Sequence, residues 1–199
     1  MLVVWDFDGV LNRGFQGGFF LWQQGFEADL GISARVFTDY MFNSTRFADV
    51  LVGKTDLLDL LADYTSDCAV PHSPRAVLDY WLNRDAHPDE QVADWLARCP
   101  HPGVIATNNE AHRADFIWRQ MGFATRMQHI FASGPMGVRK PDTGFFAQIT
   151  DWSGLPAAEH LLIDDAEKNI TAAADLGWQV FHFTDATRDA LPGVLGITP

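Results

Sequence analysis

The stretch LVVWDFDGVLNRG, residues 2–14, decides how the rest of the chain is read. Four apolar residues from Leu2 to Trp5 run straight into two carboxylates one residue apart, Asp6 and Asp8. Gly9 and a loop holding Asn12 and Gly14 follow. A short apolar run bounded by turn residues predicts a strand buried on both faces. In open α/β folds such a strand ends at the carboxyl edge of the sheet, where ligands bind. If the strand continues, alternation puts Asp6 and Asp8 on one face with Phe7 opposite. Two carboxylates on one face repel unless a cation or a proton relieves them. The bland alternative is a solvated strand end whose aspartates cap a helix.

Outward from this stretch, 199 residues suffice for one good core, with room for an inserted module. An apolar content of 47% argues for a folded globule. The net charge of −12 argues against nucleic-acid or anionic-membrane binding, which need a basic footprint. Cys68 and Cys99 are the only cysteines and lie far apart, so neither a disulfide framework nor a zinc site is expected. Asp6 interrupts the first apolar run, and no run approaches the length of a membrane span. These features read as a soluble, cytoplasmic protein.

From about Phe19 to Arg84 the signals are helical. Ser33 and Ser44 are placed to cap helices burying Val36, Phe37, Tyr40 and Met41, then Phe47, Val50 and Leu51 up to Gly53. Thr55 opens a third, with Leu57, Leu58, Leu61 and Tyr64 at helical spacing. Ser73-Pro74 starts a fourth, leading to Val77, Leu78, Trp81 and Leu82. These stripes predict a small helical core rather than a cofactor box. From Pro88 onward helices alternate with apolar strands. Strands are expected at 103–107, 128–133, 160–164 and 178–183, with helices near 110–121, 143–152 and 166–176. That is βαβ logic and implies a parallel sheet.

Three further clusters fall where those strands should end. Val104-Ile105-Ala106-Thr107-Asn108-Asn109 finishes an apolar run with a hydroxyl and two amides before a helix. Such a turn offers donors to an anion, or simply a helix cap. In Arg139-Lys140-Pro141-Asp142, Pro141 suits a first helical turn and puts Lys140 just ahead of it. Read alone, this is a solvated basic loop. Leu161-Leu162-Ile163-Asp164-Asp165 again ends in carboxylates, which suit a hard cation or cap a helix.

The four clusters in this order resemble the haloacid dehalogenase-like (HAD) hydrolase superfamily: DFDGV its first motif, ATNN its second, RKPD its third and IDD its fourth. The resemblance covers roughly 1–14 and 86–199, and implies a Rossmann-like parallel sheet core with helices on both faces. Residues 15–85 then look like the small all-α helical cap that subfamily I inserts after the first motif. The resemblance implies that Asp6 is a nucleophile forming an aspartyl-phosphate. Asp8 protonates the leaving oxygen and then takes a proton from water. It implies Mg²⁺ held by Asp6, the Asp8 backbone carbonyl and Asp164 or Asp165, a choice left open. Lys140, Thr107 and the Asn108 N–H bind phosphoryl oxygens.

The expected activity is therefore a Mg²⁺-dependent phosphomonoesterase acting on a small phosphorylated metabolite. Asp8 disfavours dehalogenation, since halide needs no proton. The alternatives are a phosphate mutase or phosphonatase-like relative and, from another class, a non-catalytic binding module of the same fold. The phosphonatase reaction uses a lysine from the cap, and Lys54 is the only one between 15 and 85. In Val52-Gly53-Lys54-Thr55 it either touches substrate or sits in a solvated turn capped by Thr55. A P-loop reading fails, because Ala48 stands where that motif needs glycine. Phe15, Phe19, Phe20 and Trp22 either line the entrance or pack cap on core, and residues 13–18 suit a hinge or flap. Five basic against ten acidic residues in 15–85 favour a monophosphate over a polyanion. Oligomeric state is not legible.

Overall fold

The computed structural model describes residues 1–197; Thr198 and Pro199, at the end of the expected core segment, lie outside the described residues. Leu2–Trp5 forms β1, buried throughout. A hairpin of β2 (Phe15–Gln16) and β3 (Phe19–Phe20) follows. The chain then runs through helices before β4 (Gly103–Thr107), β5 (Ile130–Ala132), β6 (His160–Asp164) and β7 (Gln179–His182). The main sheet has the order β5-β4-β1-β6-β7, and every pair is parallel. Trp5 pairs with Ile105 on one side and Ile163 on the other, so β1 lies in the middle. Placing the first strand centrally brings the residues after β1, β4 and β6 to one edge.

Burial on both faces of β1 is explicit in its packing. Val3 and Trp5 join Ile105, Ile163, Val92 and Trp95 in one apolar cluster. Leu2 and Val4 join Val104, Leu162, Phe145 and Phe146 in another. Each fully buried side chain of this size contributes roughly 1.5–3 kcal/mol, which fixes the strand's register. Helices Glu90–Arg98, Thr143–Ser153 and Glu167–Asp175 cover the sheet. The helix expected near 110–121 is two pieces: Ala111–Asp115, then a π-helical turn over Phe116–Gln120.

Five helices fill 26–84, beginning with Phe26–Leu30, which lies in the stretch expected to be helical but ahead of the first helix placed there. They build an apolar cluster of their own around Trp22, Phe37, Leu60, Tyr64 and Trp81. Ser33 and Ser73 cap as expected, accepting from Val36 N–H and Ala76 N–H, with Pro74 in the first turn. Other local expectations are corrected. Val36 is 47% exposed, because it lies off the stripe that Phe37 and Met41 bury. Ser44 stands at an N-cap position without capping, and its helix ends at Val50 instead of reaching Gly53. Asp56, not Thr55, caps Leu57–Asp67. The stretch read as a hinge or flap carries the β2–β3 hairpin, turned by Gly17 and Gly18, both at positive φ. Pro141 lies outside its helix; the helix starts at Thr143, and Asp142 caps it by accepting from Gly144 N–H. Among the described residues no helix is long and apolar enough to cross a membrane, and both cysteines are free.

Candidate active site

The ladder of β1 stops at Trp5, and the chain turns immediately. Asn12 N–H donates to Phe7 C=O at 2.8 Å and Gly9 N–H to Asn12 C=O at 2.9 Å. Asp8 therefore lies on a turn just past the strand, yet Asp6 and Asp8 line one cavity while Phe7 packs into the core, as alternation predicts. Asp6 is buried, whereas Asp8 is exposed on the turn. The turn after the last paired residue leaves the two carboxylates with different exposure.

Asp6 faces Lys140. The Lys140 ammonium, 1% exposed, lies 2.9 Å from Asp6 Oδ1 and donates to Asp164 Oδ2 at 2.6 Å. Phe7 N–H also donates to Asp6 Oδ1, at 2.7 Å. Asp164 is saturated: Ala166 N–H and the Asn169 amide donate to it as well as Lys140. Asp165, at the start of the next turn, completes a group with Asp6 and Asp164 whose carboxylate oxygens lie within 4.8 Å of one another. Gly9 permits the approach. At φ +86° it adopts a conformation that disfavours other residues, and a Cβ there would run into the Asp165 carboxylate.

Three carboxylates against one buried ammonium make an electrostatically unbalanced cluster. Burial, with Asp164 and Asp165 as neighbours, pushes Asp6 well above the ordinary carboxylate range despite the opposing pull of Lys140. Burial and Asp164 likewise raise Asp165. Burial works against the Lys140 charge, but Asp6 and Asp164 outweigh it and hold the ammonium protonated more firmly than usual. A divalent cation would relieve the excess negative charge, and an all-oxygen donor set suits a hard ion such as Mg²⁺.

The loop after β4 supplies the other wall. Thr107 is buried and accepts from the Asn109 amide at 2.6 Å. Asn108 carries an unexpected duty: its side chain accepts from Lys140 N–H at 2.8 Å and donates to Lys140 C=O at 2.9 Å, clamping the lysine's backbone. Neither asparagine caps the following helix. Glu110 does, accepting from His112 N–H and Arg113 N–H. Asp8 is held by Asn109 Nδ2 at 2.9 Å, Arg113 at 2.7 Å and Asn12 Nδ2 at 3.2 Å. Arg113 and Asn169 had no sequence signal, since their partners are 5 to 105 residues away, and Asn109 was flagged as an anion donor or a cap, not as a partner of Asp8. Lys54 is not brought to the site. Its side chain is 71% exposed, pairs with Asp49 at 3.3 Å and lies off both cavity walls described here.

One cavity at the sheet edge is lined by Asp6, Asp8, Thr107, Asn108, Lys140 and Asp165. A second, of about 220 Å³, shares Asp8, Gly9, Phe15 and Asn108 with it and runs between sheet and helices. Phe20, Trp22, Phe42, Phe47, Leu57 and Trp81 give it an apolar wall. Of the four aromatic residues flagged near the hinge, Phe15, Phe20 and Trp22 line this cavity, while Phe19 is 42% exposed and does not.

No family model matches the chain. A curated relative, the sesquiterpene phosphatase astK of Aspergillus oryzae (strain ATCC 42149 / RIB 40), is 39% identical over 151 residues, 73% of this chain and 76% of that protein. In structure, the chain superposes with a TM-score of 0.71 on a HAD-family enzyme of Bacteroides thetaiotaomicron crystallised with magnesium and inorganic phosphate. That likeness covers 92% of this chain and 93% of the enzyme at 16% identity, and shows the fold. The chain belongs to the HAD-like hydrolase superfamily. It is a HAD-like hydrolase of the phosphatase type, as the sequence reading expects. The drimenol cyclase drtB of Aspergillus calidoustus is 34% identical over 74 residues, but the chain spans only 14% of the cyclase's length.

Proposed function

We propose that this HAD-like hydrolase is a Mg²⁺-dependent phosphomonoesterase whose substrate joins a phosphate to an apolar organic group. The observation that supports it best is the convergence of Asp6, Lys140, Asp164 and Asp165 beside a cavity that shares Asp8, Gly9, Phe15 and Asn108 with an aromatic one. In this reading Asp6 attacks phosphorus through Oδ2, the oxygen that no donor among the described residues occupies. Lys140 holds the other oxygen and offers positive charge to the phosphoryl group, and Thr107 with the Asn108 N–H binds its oxygens. Asp8 gives a proton to the leaving oxygen, then takes one from the water that attacks the aspartyl-phosphate, freeing phosphate and restoring Asp6.

Asp6, the Asp8 backbone carbonyl and Asp165 would hold Mg²⁺, because Asp164 is already committed to Lys140, Ala166 and Asn169. When bound, the ion supplies Lewis-acid polarisation of the phosphoryl group. Residues 15–85 serve as the cap that excludes water and shapes specificity. The apolar cavity fits the substrate named for astK, a sesquiterpene phosphate, better than a sugar phosphate, whose hydroxyls would be left unpaired there. Lys54, outside the cavity, favours ester hydrolysis over imine-based phosphonate cleavage. Phosphate release from a terpenyl monophosphate and from a hexose phosphate, each with Mg²⁺ and with chelator, tests this reading. Mg²⁺-dependent release preferring the terpenyl ester is expected. Metal-independent release, or preference for the sugar, would contradict it.

A further inference from the structure

Arg113 has no place in the four motifs, yet it joins the exposed carboxylate of the first motif to the point where the chain returns from the helices. It sits on Ala111–Asp115, with its guanidinium over the Phe7 ring at 5.8 Å and its side chain only 12% exposed. Nη2 donates to Asp8 Oδ1 at 2.7 Å. Nη1 bonds Asp85 Oδ2. Asp85 is the buried C-cap of the helix Pro74–Arg84. Its backbone carbonyl accepts from Asn12 Nδ2 at 3.0 Å, and the same amide reaches Asp8 Oδ1. A Cβ on Gly14 would come within 2.6 Å of the Asp85 carboxylate, so the outgoing chain passes close against the returning one.

Asp8 Oδ1 thus has two donors, Arg113 and Asn12, while Oδ2 has one, the Asn109 amide shared with Thr107. An oxygen facing two fixed donors has no room for a proton of its own. We propose that Arg113 is a positioning residue: braced by Asp85, it pins Asp8 Oδ1 as a permanent acceptor and leaves Oδ2 to move the proton. The proton on Oδ2 passes to the ester oxygen as its bond to phosphorus breaks. Oδ2 then takes a proton from water as that water bonds to phosphorus and the bond to Asp6 breaks. This rests on the phosphatase reading and adds which oxygen acts, what aims it, and a link between proton transfer and the seating of the helical segment.

The test exploits leaving groups. An alkoxide must be protonated to depart, whereas a dinitrophenolate departs without a proton, so misplacing the acid harms the first far more. Turnover of 2-phenylethyl phosphate and 2,4-dinitrophenyl phosphate is measured for the wild type, Arg113→Ala, Asp85→Asn, Asp8→Asn and the double variant Asp8→Asn/Arg113→Ala. Arg113→Ala is expected to lower kcat on the alkyl ester by about 100-fold, and by at least about tenfold less on the activated ester. Asp85→Asn keeps the side chain's size, so it reads the same bridge even if Arg113→Ala fails to fold; a smaller loss with the same selectivity is expected. In the Asp8→Asn background, removing Arg113 should cost less than about threefold more. Equal losses on the two esters, no loss, or full additivity would overturn the positioning role. A wild type that releases phosphate from neither ester would instead overturn the phosphatase reading beneath it.

Discussion

Lys140 holds two carboxylates at less than 3 Å from a single nitrogen, with its own side chain buried. Removing one member of a buried charged group costs more than the group ever contributed, because the survivors stay desolvated. Lys140→Met leaves Asp6 and Asp164 facing each other with no counter-charge. It is expected to destabilise the fold by about 3–5 kcal/mol in urea unfolding, besides abolishing turnover. A stability within about 1 kcal/mol of wild type would mean that the lysine is no part of the cluster's electrostatics. Identity and order were legible here: two early aspartates, a lysine before proline and a late acidic pair. Their division of labour was not. Alternation placed Asp6 and Asp8 at one cavity, but gave no sign of the turn that buries the first and exposes the second. Nothing local announces that Asn108 clamps a backbone 32 residues away.

At the scale of the element, Tyr64 provides the cleanest test of the helical segment. It lies in Leu57–Asp67, fully buried, and its hydroxyl has no hydrogen-bond partner among the described residues. Burial pushes its pKa up to about 12, above the ordinary value of 10.0. The folded state therefore retains a proton that the unfolded chain gives up first. Its share of stability is complete below pH 10 and is lost as pH rises toward 12. Tyr64→Phe should flatten that alkaline decline in urea unfolding at a series of pH values, with a change within about 1 kcal/mol at neutral pH. An unchanged alkaline slope would show that Tyr64 titrates in water.

The element boundaries teach a related lesson. Strands β4 and β6 and the caps Ser33 and Ser73 followed from local pattern, because their signals are short-range. The β2–β3 hairpin did not, since two-residue strands carry no period. Asp56 displaced Thr55 as a cap while also accepting from His112 at 2.8 Å, a partner that only the folded chain supplies. Glu110 took the cap from two asparagines whose amides were already engaged.

For the molecule as a whole, the proposed specificity rests on the joint between sheet and helices. The apolar cavity draws its wall from the helices and its polar end from the sheet edge. Phe47 is half-buried on that wall. Phe47→Ala is expected to raise KM for a terpenyl monophosphate by about tenfold and to leave glycerol phosphate nearly unchanged, since a lost apolar contact is worth roughly 1–3 kcal/mol. Equal effects on the two esters would place the apolar group elsewhere. Such selectivity could not be read from the sequence, where the aromatic stripes of 15–85 read as a helical core.

The proposed phosphatase mechanism depends on Asp6 becoming phosphorylated, and the stereochemistry at phosphorus tests that most directly. A chirally labelled phosphorothioate ester, hydrolysed in isotopically labelled water, reports the number of in-line displacements. Net retention is expected, from one displacement by Asp6 and a second by water. Net inversion would mean that water attacks the ester directly, and would contradict the role given to Asp6.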